Sequence, residues 1–178
     1  MKKRIITLTV AIALVLAFVP AAVAADEVIH FPDPYFEAAV REQIGKPMGD
    51  IHVSDVEGIL ILDVGGEYDW EKKMSTGNIT DLTGIEYFTA LRYLFCYYNK
   101  LSTLDVSHNP ALEWIVCYGN QLTALDVSKN PTLEYLNCYH NRLTSLDVRQ
   151  NPVITESRLQ LESTKSTGCN PKPRVILA

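Results

Sequence analysis

Apolar residues return along this chain with a period of twenty-one. Leu91, Leu94, Cys96 and Asn99 are followed by Leu112, Ile115, Cys117 and Asn120, and then by Leu133, Leu136, Cys138 and Asn141. Each line continues in one pattern, with Leu101, Leu104, Asp105, Val106, Asn109 and Pro110 matched at Leu122, Leu125, Asp126, Val127, Asn130 and Pro131 and again from Leu143 to Pro152. The alternation around the second leucine predicts a short strand that turns its leucine and cysteine inward and the residues between them outward. The second half of each line predicts an extended stretch or a single 3₁₀ turn, because twenty-one residues leave no room for a long outer helix.

A coil this thin cannot bury its apolar side alone and gains a core only when neighbours stack on it, with equivalent residues about 4.8 Å apart. The pattern L-x-x-L-x-[C/V]-x-x-N at this period is the signature of a leucine-rich repeat solenoid, mostly parallel β. Leu94, Ile115 and Leu136 form one inward column and Cys96, Cys117 and Cys138 another. Asn99, Asn120 and Asn141 form a third, whose amides satisfy backbone groups of the turn.

The flanks read as ends of the array. Asp33 before Pro34 is a helix N-cap, Phe36, Val40 and Ile44 share a helical face, and Gly45 stops the helix. Ser54 to Glu57 resembles a capping box for a second short helix. Residues 26–60 are therefore expected to be a helical N-terminal cap and 61–152 the solenoid. Leu62-Asp63-Val64 reads as a first L-D-V half-turn, after which residues 65–77 are inserted before the pattern resumes at Asn78. Beyond it, Ile154 aligns with Leu133, Ser157 stands at a core leucine position and Glu162 at the asparagine, so 153–178 is expected to be a degenerate terminal repeat and tail. The apolar Val175-Ile176-Leu177 fits no element of the pattern.

Lys2, Lys3 and Arg4 precede an apolar run from Ile5 to Val19, then Pro20 and small residues to Ala25. This is the layout of a secretory signal peptide over residues 1–25, the alternative being an uncleaved anchor. Cleavage leaves a secreted, extracellular bacterial chain with no membrane insertion. The leader holds three of the sixteen basic groups and none of the twenty-one acids, so the rest carries a net charge of −8. That balance argues against nucleic acid as a partner.

The outward strand positions read Tyr93, Phe95, Tyr97; Trp114, Val116, Tyr118; Tyr135, Asn137, Tyr139. Seven of these nine are aromatic, against 9% over the whole chain. With His140 at the edge they form a candidate binding face for a protein or glycan ligand. The alternative is that the rings stack as cross-strand ladders that stabilise the sheet, and dimerisation is another way to cover them. Asp105, Asp126 and Asp147, with Asp63 extending the column, read as acceptors in tight turns rather than as a calcium site. Cys96, Cys117 and Cys138 read as buried thiols rather than metal ligands or disulfides, while Cys169 stands alone in the polar tail. No catalytic motif and no cofactor site is found.

Phe31-Pro32-Asp33-Pro34-Tyr35-Phe36-Glu37-Ala38-Ala39-Val40-Arg41 with Gly45-Lys46 resembles the helical cap of internalin-like leucine-rich repeat proteins of bacterial surfaces and secretions. Asn78-Ile79-Thr80-Asp81-Leu82-Thr83-Gly84-Ile85-Glu86-Tyr87 resembles their first full repeat. The resemblance runs from about Phe31 to Asn151 and implies a right-handed α/β superhelix whose concave sheet binds a partner protein or, less often, a glycan. This array is much shorter, places Cys at a consensus leucine position, and shows neither a following immunoglobulin-like module nor a wall-anchoring tail. The expected function is a secreted, non-catalytic recognition module, with Trp114, Tyr118 and Tyr97 as anchors; a carbohydrate-binding or adhesion module and a structural spacer are the alternatives.

Overall fold

A computed structural model describes residues 26–155, 158–161 and 174–176. The expected leader, Ser157, Glu162 and Cys169 lie outside them. In chain order the elements are α1 (Pro34–Ile44), α2 (Val53–Val56), β1 (Ile61–Asp63), β2 (Tyr68–Asp69), β3 (Met74–Ser75), β4 (Tyr93–Phe95), β5 (Trp114–Val116), β6 (Tyr135–Asn137), β7 (Ser145–Asp147), β8 (Leu159–Gln160) and β9 (Arg174–Ile176).

One strand per coil builds a parallel five-stranded sheet in the order β1-β4-β5-β6-β8. Its register aligns Leu62, Leu94, Ile115, Leu136 and Leu159 in one column. The first four of these are fully buried, because every second strand residue faces the interior of the coil and finds its own counterpart from the next coil beside it. The columns Leu91/Leu112/Leu133/Ile154 and Val106/Val127/Val148 close the core from other sides. The opposite wall is irregular, with a 3₁₀ turn at Ile85–Tyr87 in the first coil and, among the described residues, strands only at its far end, where β7 in the coil of β6 pairs with β9.

Asparagine supplies the polar part of the interior. Asn120 Nδ2 donates to Cys96 O (2.9 Å) and Cys117 O (3.0 Å), while its Oδ1 accepts from Leu101 N–H (3.0 Å). Asn99 and Asn141 repeat the arrangement. A second asparagine ladder runs along the other wall: Asn109 donates to Ile85 O and Phe88 O, Asn130 to Val106 O and Asn109 O, and Asn151 to Val127 O and Asn130 O. Both ladders answer the demand that buried carbonyls be paired.

Helix α1 begins where Asp33 Oδ1 accepts from Tyr35 N–H (2.9 Å) and Phe36 N–H (3.1 Å). It ends at Gly45, whose left-handed backbone (φ 66°) suits a residue without a side chain. Phe36 and Val40 are buried and join the core. The other oxygen of Asp33 accepts from Thr80 N–H (2.7 Å), Thr80 Oγ1 (2.8 Å) and Asp81 N–H (3.2 Å), fastening the helix to the first coil.

Four expectations need correction. Leu62-Asp63-Val64 is not a half-turn: β1 pairs with β4 in the main sheet, so Asp63 lies opposite Phe95 on the outward face and does not extend the aspartate column. L-D-V fits either wall by its apolar spacing, and pairing decides between them. The last coil places Leu159, not Ser157, beside Leu136, two residues later than the period predicts. The second helix starts after His52, whose N–H donates to Asp55 (2.8 Å), whereas Ser54 bonds Asp26. Finally, Val175 and Ile176 do have a place, because β9 pairs with β7 in parallel and Val175 packs against the core, while Leu177 lies outside the described residues.

Candidate functional site

Stacking identical coils puts like beside like on the outward face as it does in the core. Tyr97, Tyr118 and Tyr139 form a face-to-face stack, with centroids 5.2 Å apart at 8° and 4.7 Å apart at 2°. Across the sheet, Tyr93 meets Trp114 at 6.1 Å and Trp114 meets Tyr135 at 4.9 Å. All seven aromatic positions expected on this face are on it, in two ladders and a middle column. That middle column is Phe95, Val116 and Asn137, aligned by the register of the sheet. Val116, expected outward, is only 8% exposed, whereas Trp114 is 38% exposed.

The residue after each stacked tyrosine turns the chain with a left-handed backbone: Tyr98 (φ 52°), Gly119 (φ 70°) and His140 (φ 51°). Gly119 has no side chain where the Tyr98 ring passes, so that ring stands edge-on to Tyr118 at 4.8 Å. His140 stands edge-on to Tyr139 at 5.0 Å. Burial, then the neighbouring phenols and Asp63, pushes the Tyr118 hydroxyl up to about 12. The stack therefore presents neutral phenols at physiological pH.

One lateral edge of the face is charged and paired. Glu113 binds Arg92 and accepts from Tyr93 OH (3.1 Å), and Arg158 pairs with Glu134 at 2.9 Å. At the other edge, residues 65–77 fold into the antiparallel hairpin β2–β3, carrying Tyr68 and Trp70 toward the ladder. Tyr68 lies 5.1 Å from Tyr98 and 4.7 Å from Trp70, so the rings run on beyond those expected. The sequence marks this segment as an insertion between glycines, but only folding brings its rings to the face.

The aspartate column behaves as turn chemistry. Asp105, Asp126 and Asp147 each accept the N–H two residues ahead, from Ser107, Ser128 and Arg149. Hydrogen bonds from Arg149 hold the Asp147 carboxyl down to about 2. Among the described residues no group of three or more His, Cys, Asp or Glu is placed to hold a metal ion, and no helix is long and apolar enough to cross a membrane.

No family model and no curated protein matches this sequence. Among solved structures, the functional domain of InlJ from Listeria monocytogenes, which includes a cysteine ladder, matches with a TM-score of 0.61 and 36% identity over 72% of this chain. This chain has the leucine-rich repeat fold of the internalins. The internalin InlF from the same species, 18% identical over 75% of this chain with a TM-score of 0.54, shares the fold. The internalin-like chain spans 27% of the length of the first of these structures and 46% of the second.

Cysteine stacks in the internalin-like array as well. Cys96, Cys117 and Cys138 are unpaired and at most 3% exposed, and burial pushes Cys96 and Cys138 up to about 12 and Cys117 well above its ordinary value. In a Cys169→Ser background, a thiol reagent at pH 8 is expected to label none of the three until denaturant unfolds the chain, and then all three together. Labelling of one thiol in the native protein contradicts this.

Proposed function

We propose that this chain is an exported bacterial recognition module, non-catalytic, that holds a protein or peptide on the ring-bearing face of its sheet. In this proposal residues 1–25 are a cleaved leader, 26–60 cap the solenoid of 61–152, and 153–178 close it. The observation that carries the proposal is that seven half-exposed or exposed rings occupy the side of the sheet away from a core already filled by leucine, isoleucine and cysteine. Packing does not call for rings there, and rigid aromatic side chains give large contact area at low cost in conformational entropy. Tyr97, Tyr118 and Tyr139 turn their faces to one another, leaving edges for a ligand. That suits a polypeptide better than a sugar, which stacks on an open ring face. Trp114, the most exposed ring of the two ladders, is the place where a glycan fits best.

The test compares the mature protein with a variant carrying Tyr97→Ser, Tyr118→Ser and Tyr139→Ser, both shown to be folded by circular dichroism. Each is presented to a displayed library of random dodecapeptides and to a glycan array. The variant is expected to lose capture while melting only moderately lower, since each ring pair contributes about 0.5–1.5 kcal/mol beyond its area burial. Unchanged capture with a much lower melting temperature makes the ladder scaffolding and refutes the proposal. Capture of glycans alone replaces polypeptide by carbohydrate as the ligand.

A further inference from the structure

The hairpin β2–β3 is fastened to the sheet rather than hung from it. Gly66 N–H donates to Tyr97 O (2.7 Å), Thr76 N–H to Glu67 O (2.8 Å) and Glu67 N–H to Thr76 Oγ1 (3.1 Å). Gly65, Gly66 and Gly77 make this close approach feasible: a side chain at each would collide with the Tyr97 ring, with Tyr98 O, or with Asn99 Oδ1. On this fixed base Tyr68 and Trp70 extend the ring face, and Trp70 is 79% exposed.

Between the base of the hairpin and α1 lies an open cavity of about 580 Å³, lined by Tyr97, Gly65 and the acids Glu42, Asp63 and Glu67, with no lysine or arginine in its walls. Among the described residues, the Asp63 carboxylate accepts only the N–H of Gly65 (3.1 Å). Among the described residues no cation pairs with Asp63 or Glu67. The acids at the opposite edge, Glu113 and Glu134, are already neutralised by Arg92 and Arg158. Uncompensated negative charge is thus gathered at one end of the ring face. After burial, Asp63 and Glu67 are the causes that raise the Tyr97 phenol, which places both within electrostatic reach of that ring. Carboxylates beside aromatic rings attract a cation by charge-assisted hydrogen bonds and by cation–π contact.

We infer that the hairpin and its cavity receive a lysine or arginine side chain of a partner polypeptide, its aliphatic stem along Tyr97 and Tyr68 and its charge held by Asp63 and Glu67. This rests on the proposal that the ring face binds a polypeptide. The test selects dodecapeptides from a random displayed library on the mature protein at high salt, where general attraction to an acidic protein is screened. Synthetic copies are then titrated against wild type, the triple tyrosine variant, Asp63→Asn with Glu67→Gln, Trp70→Ala, and a charge-matched control, Asp50→Asn with Glu57→Gln, all checked for folding.

The expected result is selected peptides rich in lysine or arginine that bind about tenfold more weakly to the Asp63/Glu67 variant. They bind more weakly to Trp70→Ala as well and equally to the control. Peptides that the triple tyrosine variant loses but that are neutral or acidic, or that bind the Asp63/Glu67 variant undiminished, overturn this inference and leave the proposed function standing. Recovery of no peptide that depends on the three tyrosines overturns both.

Discussion

Replacing Asn120 by alanine is expected to lower the unfolding free energy by about 3–4 kcal/mol, because the change strips partners from buried groups of two successive coils. Cys96 O, Cys117 O and Leu101 N–H all lose their bond to this one amide. A buried polar group left unpaired costs about 1–3 kcal/mol, and at 8% exposure Asn120 sits largely out of reach of solvent. The effect is a large fraction of the 5–15 kcal/mol typical of a domain. Asn130→Ala is the internal comparison. That amide donates to Val106 O and Asn109 O, but its Oδ1 has no partner, so fewer bonds are lost and the expected cost is about 2 kcal/mol. Urea unfolding followed by circular dichroism measures both. A loss under about 1 kcal/mol for Asn120→Ala would show the amide to be a solvated turn residue, contrary to the ladder described above.

Asp33→Ala is the second substitution expected to do great damage, also about 3 kcal/mol, and its effect depends on pH. One carboxylate joins the start of α1 to Thr80 and Asp81, far along the chain. Burial raises its pKa, but the Thr80, Phe36 and Tyr35 donors together outweigh burial and hold the carboxyl below its ordinary value of 3.8. A carboxyl lowered in the folded state stabilises fully above that ordinary value, and the contribution fades as pH falls through the lower folded value. The gap between wild type and Asp33→Ala is therefore expected to be constant from pH 7 to about pH 5 and to narrow below about pH 4. Asp33→Asn retains an acceptor for the helix but turns a donor toward the donors of Thr80 and Asp81, so it recovers only part of the loss. A gap that is flat with pH would remove Asp33 from the role given to it.

Much of this was legible in the chain because stacking turns sequence period into spatial contact. The inward columns, the first asparagine ladder, the N-cap at Asp33 and the outward tyrosines all follow from the spacing of twenty-one residues. What escaped the pattern depends on pairing between segments with no periodic relation. Leu62-Asp63-Val64 carries the apolar spacing of either wall, and only its pairing with Tyr93–Phe95 puts Asp63 on the ring face. The two-residue slip that brings Leu159 beside Leu136 breaks the period at the last coil, where no further repeat marks the new register. Tyr68 and Trp70 lie in an insertion that carries no repeat signal, and their place against Tyr98 comes from three glycines that let two backbones meet. The second reach of Asp33, to Thr80 and Asp81, has no local mark either.

The two asparagine ladders have a direction. Among the described residues, the side-chain amides of Asn99, Asn109, Asn120, Asn130 and Asn151 make their inter-coil bonds to a coil earlier in the chain. A coil joining the growing end thus finds the partners for its buried amides already in place and waits for nothing that follows. Assembly from the amino end forward, as the polypeptide is made, leaves these amides with partners at each stage, whereas assembly begun at the carboxyl end would bury amides whose partners had not yet arrived.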